Sequence, residues 1–331
     1  MSKGLATDGT ATVGTAAVGT AAVGTAAVGT ATVGTTAGPG ATERSGATQP
    51  VAPVIDAHQH LWHYNEVEYD WMSGEQEVLK RDHLPAELER LMAGAGVTGT
   101  VAVQARRTVA ETEWLLSVAA RHPFILGVVG WVDFTSPRLE ADLERLADDA
   151  ALVGVRELIH DMPDLGYATS NVHVAGVRAA ARHGLAYDLL LKPQHLPAAT
   201  ALVDLLPDQR FVVDHCAKPD VAAGGVQPWA RDLAELARRD NVWCKLSGLV
   251  TEADWEGQAD VDFVPYADVV LGAFGPDRVM VGSDWPVCTC ARDYRGTMDL
   301  ARLLVSRLSA EEQARVLAGT CLEFYGLRPP A

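Results

Sequence analysis

The stretch that decides the fold is Val54-Ile55-Asp56-Ala57-His58-Gln59-His60-Leu61-Trp62, in which apolar residues lead into two histidines. Residues i and i+2 of a β-strand project from the same face. The pattern therefore predicts that His58 and His60 point together, with Asp56 one step below them. Two imidazoles at the end of a strand can bind a divalent cation or polarise a carbonyl oxygen.

Two further apolar segments end in residues of the same chemical kind. Segment 211–215, FVVDH, ends in His215, and segment 279–284, VMVGSD, ends in Asp284. Catalytic groups of barrel enzymes come from the C-terminal ends of several different strands. The three segments together thus predict the layout of a barrel active site.

The first fifty residues of the 331-residue chain have a separate character. They are mostly Gly, Ala, Thr, Val and Ser, and residues 11–35 form five pentads of the ATVGT or AAVGT type. A period of five matches neither helix nor strand, and regularly spaced glycine is costly to order. We therefore predict a disordered low-complexity tail over 1–50 and one folded domain over 51–331. The repeated Gly-Thr breaks argue against a secretory signal or a membrane span in the tail.

Composition narrows the class of protein. The net charge is −16 and no run of Lys or Arg occurs, which argues against nucleic acid or a membrane as a partner. Five cysteines, an odd number in a large domain, do not indicate a disulfide framework, and the Cys288-Thr-Cys290 pattern lacks a second cysteine pair. We expect a cytoplasmic protein with reduced cysteines, and the sequence does not specify its oligomeric state.

Apolar strands alternate with amphipathic helices through the folded part. After the first strand, an irregular aromatic loop over 63–81 is expected to overhang the site, and two helices, 292–306 and 310–318, close the chain. The other predicted strands are 98–104, 124–132, 152–159, 186–191, 211–215, 242–247 and 278–282. Eight strand–helix units of this size predict a single (β/α)8 TIM barrel. An open doubly wound sheet is the alternative, but no glycine-rich nucleotide motif follows any strand.

Polar residues follow the predicted strands where their C-terminal ends would meet. Arg156 and Lys245 are as compatible with a structural ion pair inside the barrel as with a role in the active site. His160 and His195 lie just past strand ends, where a role in the site is possible. The complete set at the strand ends is His58, His60, Asp133, Arg156, Glu157, Lys192, Gln194, Asp214, His215, Lys245, Ser247 and Asp284.

The chain resembles the amidohydrolase superfamily, and within it the amidohydrolase-2 branch that contains sugar and dicarboxylate lactonases. The matching segments, which span about residues 54–327, are IDAHQHLW, VVGWVDF, GVRELIHDMPD, YDLLLKPQHLP, FVVDHCAKP, VWCKLSG, VMVGSDWP and CLEFYGL. The resemblance implies a (β/α)8 barrel that hydrolyses a cyclic ester. Carried over by position, the implied catalytic set is His58, His60, His215 and Asp284. Arg156 and Lys192 are the implied substrate ligands, to which we add Gln194 and Trp62.

Ester hydrolysis needs a polarised carbonyl, a deprotonated water and a stabilised oxyanion. The three histidines, or a metal ion that they hold, would polarise the carbonyl of a small-molecule lactone. Asp284 is expected to act as general base and to return the proton to the leaving alkoxide. Arg156 and Lys192 would bind hydroxyl or carboxylate groups of the substrate.

The chain departs from the family pattern at two strands. Metal-using relatives place a histidine at the end of strand five, where this chain has Lys192-Pro193-Gln194, with His195 one place beyond. We therefore expect either no cofactor or one divalent ion, zinc being the first choice, held by His58, His60 and Asp284. In strand four, Glu157 and Met162 stand where His and Glu are expected in close lactonase relatives.

Two other functions are compatible with the pattern. One is a zinc-dependent decarboxylase of an aromatic or unsaturated acid, which would share the H-x-H pair and the strand-eight aspartate. The other is a non-catalytic barrel that binds a ligand. The Lys and Gln after strand five favour the lactonase over the decarboxylase, and the complete histidine–aspartate set argues against a non-catalytic barrel.

Overall fold

The computed structural model describes residues 53–72, 74–257 and 259–329. The tail predicted over 1–50 lies outside these residues. Within them, no helix is both long enough and apolar enough to cross a membrane.

Eight parallel strands form one sheet whose spatial order is the order of the chain. Just past the last strand, Asp284 N donates to the carbonyl O of His58 at 2.8 Å, and Gln59 bridges to Trp285. These contacts join the two ends of the sheet and confirm the predicted (β/α)8 barrel. The strands are β1 (Ile55–Gln59), β2 (Gly99–Val103), β3 (Ile125–Gly130), β4 (Leu152–Glu157), β5 (Ala186–Leu189), β6 (Phe211–Val213), β7 (Val242–Leu246) and β8 (Val279–Val281).

Helices alternate with the strands and carry clear start signals. Pro85 opens the first helix, and the side chains of Thr108, Ser170 and Asp293 accept backbone N–H groups at three others. The helices are α1 (Pro85–Ala95), α2 (Val109–Ala119), α3 (Leu139–Ala147), α4 (Asn171–Arg182), α5 (Leu196–Leu205), α6 (Trp229–Ala237), α7 (Val264–Phe274), α8 (Tyr294–Val305), α9 (Ala310–Ala314) and α10 (Thr320–Tyr325).

The closing helical segment is longer than predicted. A π-helical turn over Arg315–Gly319 joins α9 to α10, so the segment passes position 318 and ends at Tyr325. Phe324 and Tyr325 are buried against the apolar floor of the barrel, which includes Ile55 and Met280. Burial of this apolar face explains why the helix continues.

The first strand is irregular just after Asp56, and the Asp56 carboxylate is fully hydrogen-bonded. The pairing of β1 with β2 shifts register between Asp56 and Gln59. The Asp56 carboxylate accepts hydrogen bonds from Ser283 Oγ at 2.6 Å and from Tyr294 Oη at 3.1 Å in α8. Asp56 therefore links β1 to the segment after β8 and to α8.

Candidate active site

The four predicted catalytic side chains meet at the C-terminal end of the barrel, and all four are buried. His60 Nε2 lies 3.3 Å from Asp284 Oδ1, and His215 Nε2 lies 3.6 Å from the same oxygen. His58 Nε2 lies 3.2 Å from His60 Nε2 and 3.9 Å from Asp284 Oδ1. Strands β1, β6 and β8 thus deliver one compact histidine–aspartate cluster.

Electrostatics keeps a carboxylate beside neutral imidazoles in this cluster. Burial alone would raise the pKa of Asp284, but His215, His60 and Lys218 outweigh it and hold that pKa below its usual range. Burial lowers the pKa of His58 and of His215 well below the ordinary histidine value. At neutral pH, Asp284 is therefore an anion that can accept a proton.

A layer of buried charge supports His58 from below. Lys245 Nζ lies 2.6 Å from Asp188 and 3.0 Å from Asp214, and Tyr325 Oη donates to Asp188 at 2.8 Å. Arg156 Nη1 donates to Asp214 Oδ2 at 2.9 Å. Lys245 thus points into the barrel and belongs to an ion-pair network under the site.

This network determines which nitrogen of His58 carries the proton. His58 Nδ1 lies 3.2 Å from both Asp214 Oδ1 and Lys245 Nζ. Because the Arg156 guanidinium can only donate and lies 3.2 Å from Nε2, we infer that Nε2 is the acceptor and that the proton of the neutral ring lies on Nδ1, beside Asp214 Oδ1.

His60 has the same tautomer as His58, but a different contact determines it. Its Nδ1 lies 2.7 Å from the carbonyl O of Val103, and a carbonyl can only accept. Nδ1 therefore carries the proton, and the lone pair of Nε2 faces His58 Nε2 and Asp284 Oδ1. Three acceptor atoms converge, an arrangement that is repulsive unless a cation or a proton lies among them.

The acceptors fit a divalent ion. Donor atoms of His58, His60 and Asp284 lie within 4.8 Å of one another. In a tetrahedral zinc site with bonds of about 2.1 Å, donor atoms lie about 3.4 Å apart, close to the observed separations. The predicted ligands could therefore hold zinc. His195 is not among these converging donor atoms.

Strained backbone occurs at the same place. His215, Cys216, Ala217, Lys218 and Asp284 have φ between 51° and 58°, the left-handed region that non-glycine residues avoid. Such a conformation costs about 1–3 kcal/mol per residue, and it concentrates at functional sites. The strain therefore marks the ends of β6 and β8 as positions that serve the site.

A cavity of about 520 Å³ lies above the cluster. His60, His215 and Asp284 form part of its lining. Trp62 and Trp71 from the connection after β1, and Trp255 from the connection after β7, contribute apolar surface. The predicted overhanging loop supplies Trp71, and it contains a 3-10 turn over Gly74–Leu79 that the sequence did not indicate. The cavity is large enough for a small organic substrate.

Each cationic residue that lines the cavity, among the residues described, has a carboxylate partner. Arg107 Nε lies 2.7 Å from Glu157, and Lys218 Nζ lies 2.7 Å from Glu252. Arg156 pairs with Asp214, and Arg106 pairs with Glu68 and Glu111. The wall therefore offers hydrogen-bond donors without an unpaired positive charge.

Two of the residues predicted to bind the substrate lie outside the cavity. Lys192 and Gln194 are exposed and do not line the cavity. The reason is that β5 ends at Leu189 and the chain turns into a 3-10 turn over Pro193–His195, which leaves Leu190 on the cavity wall. Arg156 and Trp62 do line the cavity.

Sequence reasoning missed several residues of the cavity wall. Arg106 and Arg107 follow β2, and Glu252 follows β7, positions without a recognisable pattern. Lys218 had one available signal, because it lies three residues after His215 in the segment FVVDHCAKP.

Known proteins are similar to this chain in sequence and in fold. The model of the amidohydrolase family matches residues 55–327. L-Fucono-1,5-lactonases from Burkholderia ambifaria and Burkholderia multivorans are each 38% identical, over 84% of this chain and 97% of theirs. A crystal structure of an amidohydrolase from Burkholderia multivorans with bound zinc has a TM-score of 0.79 and 37% identity, and the match covers 84% of this chain and all of that one. The chain therefore belongs to the amidohydrolase family.

Proposed function

We propose that the protein is a hydrolase that opens a small, uncharged sugar-acid lactone by attack of water. The observation that carries this proposal is the position of the Asp284 carboxylate in the lining of the cavity, 3.3 Å from His60 Nε2 and 3.6 Å from His215 Nε2. The resemblance to L-fucono-1,5-lactonases supports the class of substrate.

The reaction follows from the residues. Asp284 takes a proton from water, and the water oxygen bonds to the carbonyl carbon of the lactone. The bond between that carbon and the ring oxygen breaks, and Asp284 returns the proton to the departing oxygen. His60 and His215 orient the water and the carbonyl. A divalent ion held by His58, His60 and Asp284 would polarise the carbonyl oxygen as a Lewis acid.

The charge of the wall supports an uncharged substrate. A lactone that carries carboxylates would need an unpaired cation to replace its hydration, whereas the cations of this wall are paired. The donors of Arg107 and Lys218 suit hydroxyl groups. The three tryptophans suit the apolar face of a sugar ring.

We further propose that the enzyme works in the cytoplasm on a carbohydrate substrate. All five cysteines are free thiols, and four of them are buried. This supports a reducing compartment.

The test is turnover of a panel of lactones, measured by acid release. L-Fucono-1,5-lactone should be hydrolysed with a kcat/KM at least about a hundredfold above that of a lactone bearing two carboxylates. A preference for the dicarboxylate, or no turnover of any lactone, would refute the proposal. Parallel assays with a chelator, with zinc restored, and for carbon dioxide release from an aromatic acid separate a metal-dependent lactonase from a decarboxylase.

A further inference from the structure

Strand β6 ends in a short left-handed turn that brings a second side chain to the cavity besides that of His215. Four consecutive residues, His215, Cys216, Ala217 and Lys218, have positive φ, and Lys218 N donates to the carbonyl O of His215 at 2.8 Å. In a turn closed by an i to i+3 hydrogen bond, side chains i and i+3 lie over one another. His215 and Lys218 accordingly both line the cavity.

Three contacts hold this turn in place. Trp229 Nε1 donates to the carbonyl O of Cys216 at 2.7 Å, and Cys216 Sγ donates to the carbonyl O of Lys245 at 3.3 Å. Gly248 packs directly on the His215 ring, where a Cβ atom would lie 2.6 Å from Cγ. The position of Lys218 is therefore set by the same contacts that set His215.

Lys218 differs from two other cations of the wall, Arg156 and Arg107. Arg156 is held by buried Asp214 and by the carbonyl O of Gln104, and Arg107 by Glu157 and the carbonyl O of Leu158. The ion pair of Lys218 is with Glu252, and both side chains are partly exposed to the cavity. Its ammonium group can rotate towards a substrate oxygen while Glu252 keeps it near.

We propose that Lys218 is a further substrate-contacting residue, which donates to the ring oxygen of the lactone and stabilises the negative charge on that oxygen as the ring opens. Glu252 is its positioning residue. Lys218 keeps its proton throughout, so the proton balance stays between water, Asp284 and the departing oxygen. This inference rests on the proposed lactone hydrolysis and extends it.

The charge of Lys218 also affects the pKa of Asp284, the proposed general base. Lys218 contributes to holding the pKa of Asp284 below its usual range, after His215 and His60. Lys218 and Asp284, the carboxylate that must return a proton to the departing oxygen, line the same cavity. Both groups serve the same atom of the substrate.

The test compares Lys218→Met, Lys218→Arg and Glu252→Gln on two uncharged lactones. L-Fucono-1,5-lactone expels an alkoxide, while dihydrocoumarin expels a phenoxide, whose conjugate acid has a pKa of about 10 and which needs less stabilisation. Lys218→Met should lower kcat about a hundredfold on the first lactone and less than about tenfold on the second. Lys218→Arg should recover part of the loss, and Glu252→Gln should lower kcat several-fold. Lys80→Met, which removes a lysine that does not line the cavity and that also pairs with a glutamate, is the control.

Equal losses on the two lactones, or activity of Lys218→Met within threefold of wild type, would overturn the inference. Wild type that hydrolyses neither lactone would instead refute the proposed function. Calorimetric binding of L-fuconate, the acid formed from the first lactone, then decides the role of Lys218. Lys218→Met should weaken that binding at least tenfold. Unchanged binding in the variant, or no binding by wild type, would count against a role of Lys218 in substrate contact. Circular dichroism checks that each variant is folded.

Discussion

His58 shows how one hydrogen bond prepares a side chain for the chemistry of this site. Its Nε2 accepts a hydrogen bond from Arg156, which leaves the proton of the ring on Nδ1, 3.2 Å from Asp214 Oδ1. Nε2 therefore faces the cluster as an acceptor, beside the acceptors His60 Nε2 and Asp284 Oδ1. The guanidinium of Arg156 lies 3.2 Å from His58 Nε2 and already supplies one positive charge there. A divalent ion at the same nitrogen must therefore compete with Arg156.

Arg156→Met should raise the affinity for a divalent ion at least about tenfold. The reason is that the substitution removes both a donor to His58 Nε2 and a nearby positive charge, while Lys245 still neutralises Asp214. The measurement is calorimetric titration of metal-free protein with zinc. Arg107→Met is the matched control, since Arg107 lines the cavity but pairs with Glu157. Equal affinities in wild type and Arg156→Met would contradict this competition.

Side-chain identity allowed the cluster to be predicted, but not every wall residue. His58, His60, His215 and Asp284 follow apolar strands, and the ends of parallel strands must meet at one edge of a barrel. Lys218 was missed although it follows His215 by three residues, because nothing in His-Cys-Ala-Lys marks the left-handed backbone that brings the two side chains together. Lys192 was misplaced because β5 ends two residues before the apolar run does.

At the scale of elements, the loop after β7 determines the position of the turn after β6. Gly248, with φ of 67°, contacts the His215 ring, and Ser247 Oγ lies 2.9 Å from His215 Nδ1. The two loops therefore hold one imidazole between them. Helical and strand periodicity cannot reveal such a contact, because it lies between two irregular segments.

Gly248→Ala should displace His215 and lower kcat at least tenfold. The added Cβ would lie 2.6–2.7 Å from the ring, and the positive φ adds strain of about 1–2 kcal/mol. Gly224→Ala is the matched control, because its φ is also 67° but no atom lies within 4 Å of the new Cβ. Both variants should lose thermal stability, and only Gly248→Ala should lose activity. Similar activity in the two variants would show that Gly248 does not position His215.

At the scale of the whole molecule, the alternation of strands and helices predicted the barrel because each apolar run needs helices to cover it. The extension of the chain to Tyr325 was harder to predict, since its reason is the open floor of the barrel. That floor exists only after all eight strands have assembled. Local periodicity therefore described the elements better than it described how the barrel is sealed.

Deletion of residues 1–52 should leave the melting temperature and kcat unchanged. The pentad repeat offers no apolar face to bury, and the contacts of Asp284 with His58 and of Phe324 with the floor close the barrel without it. Differential scanning calorimetry of the full and shortened chains provides the comparison. A fall of several degrees in melting temperature would show that the N-terminal segment contributes to the fold.

The most direct test of the account is the pH dependence of kcat/KM for wild type and Asp284→Asn on L-fucono-1,5-lactone. The base must be ionised, so activity is present above its pKa and lost as the pH falls through it. Because the pKa of Asp284 is held below its usual range, wild type should keep its activity down to about pH 4. Asp284→Asn should be at least about a hundredfold slower and should show no acidic limb. Activity within tenfold of wild type, with that limb retained, would contradict the assignment of Asp284 as the base.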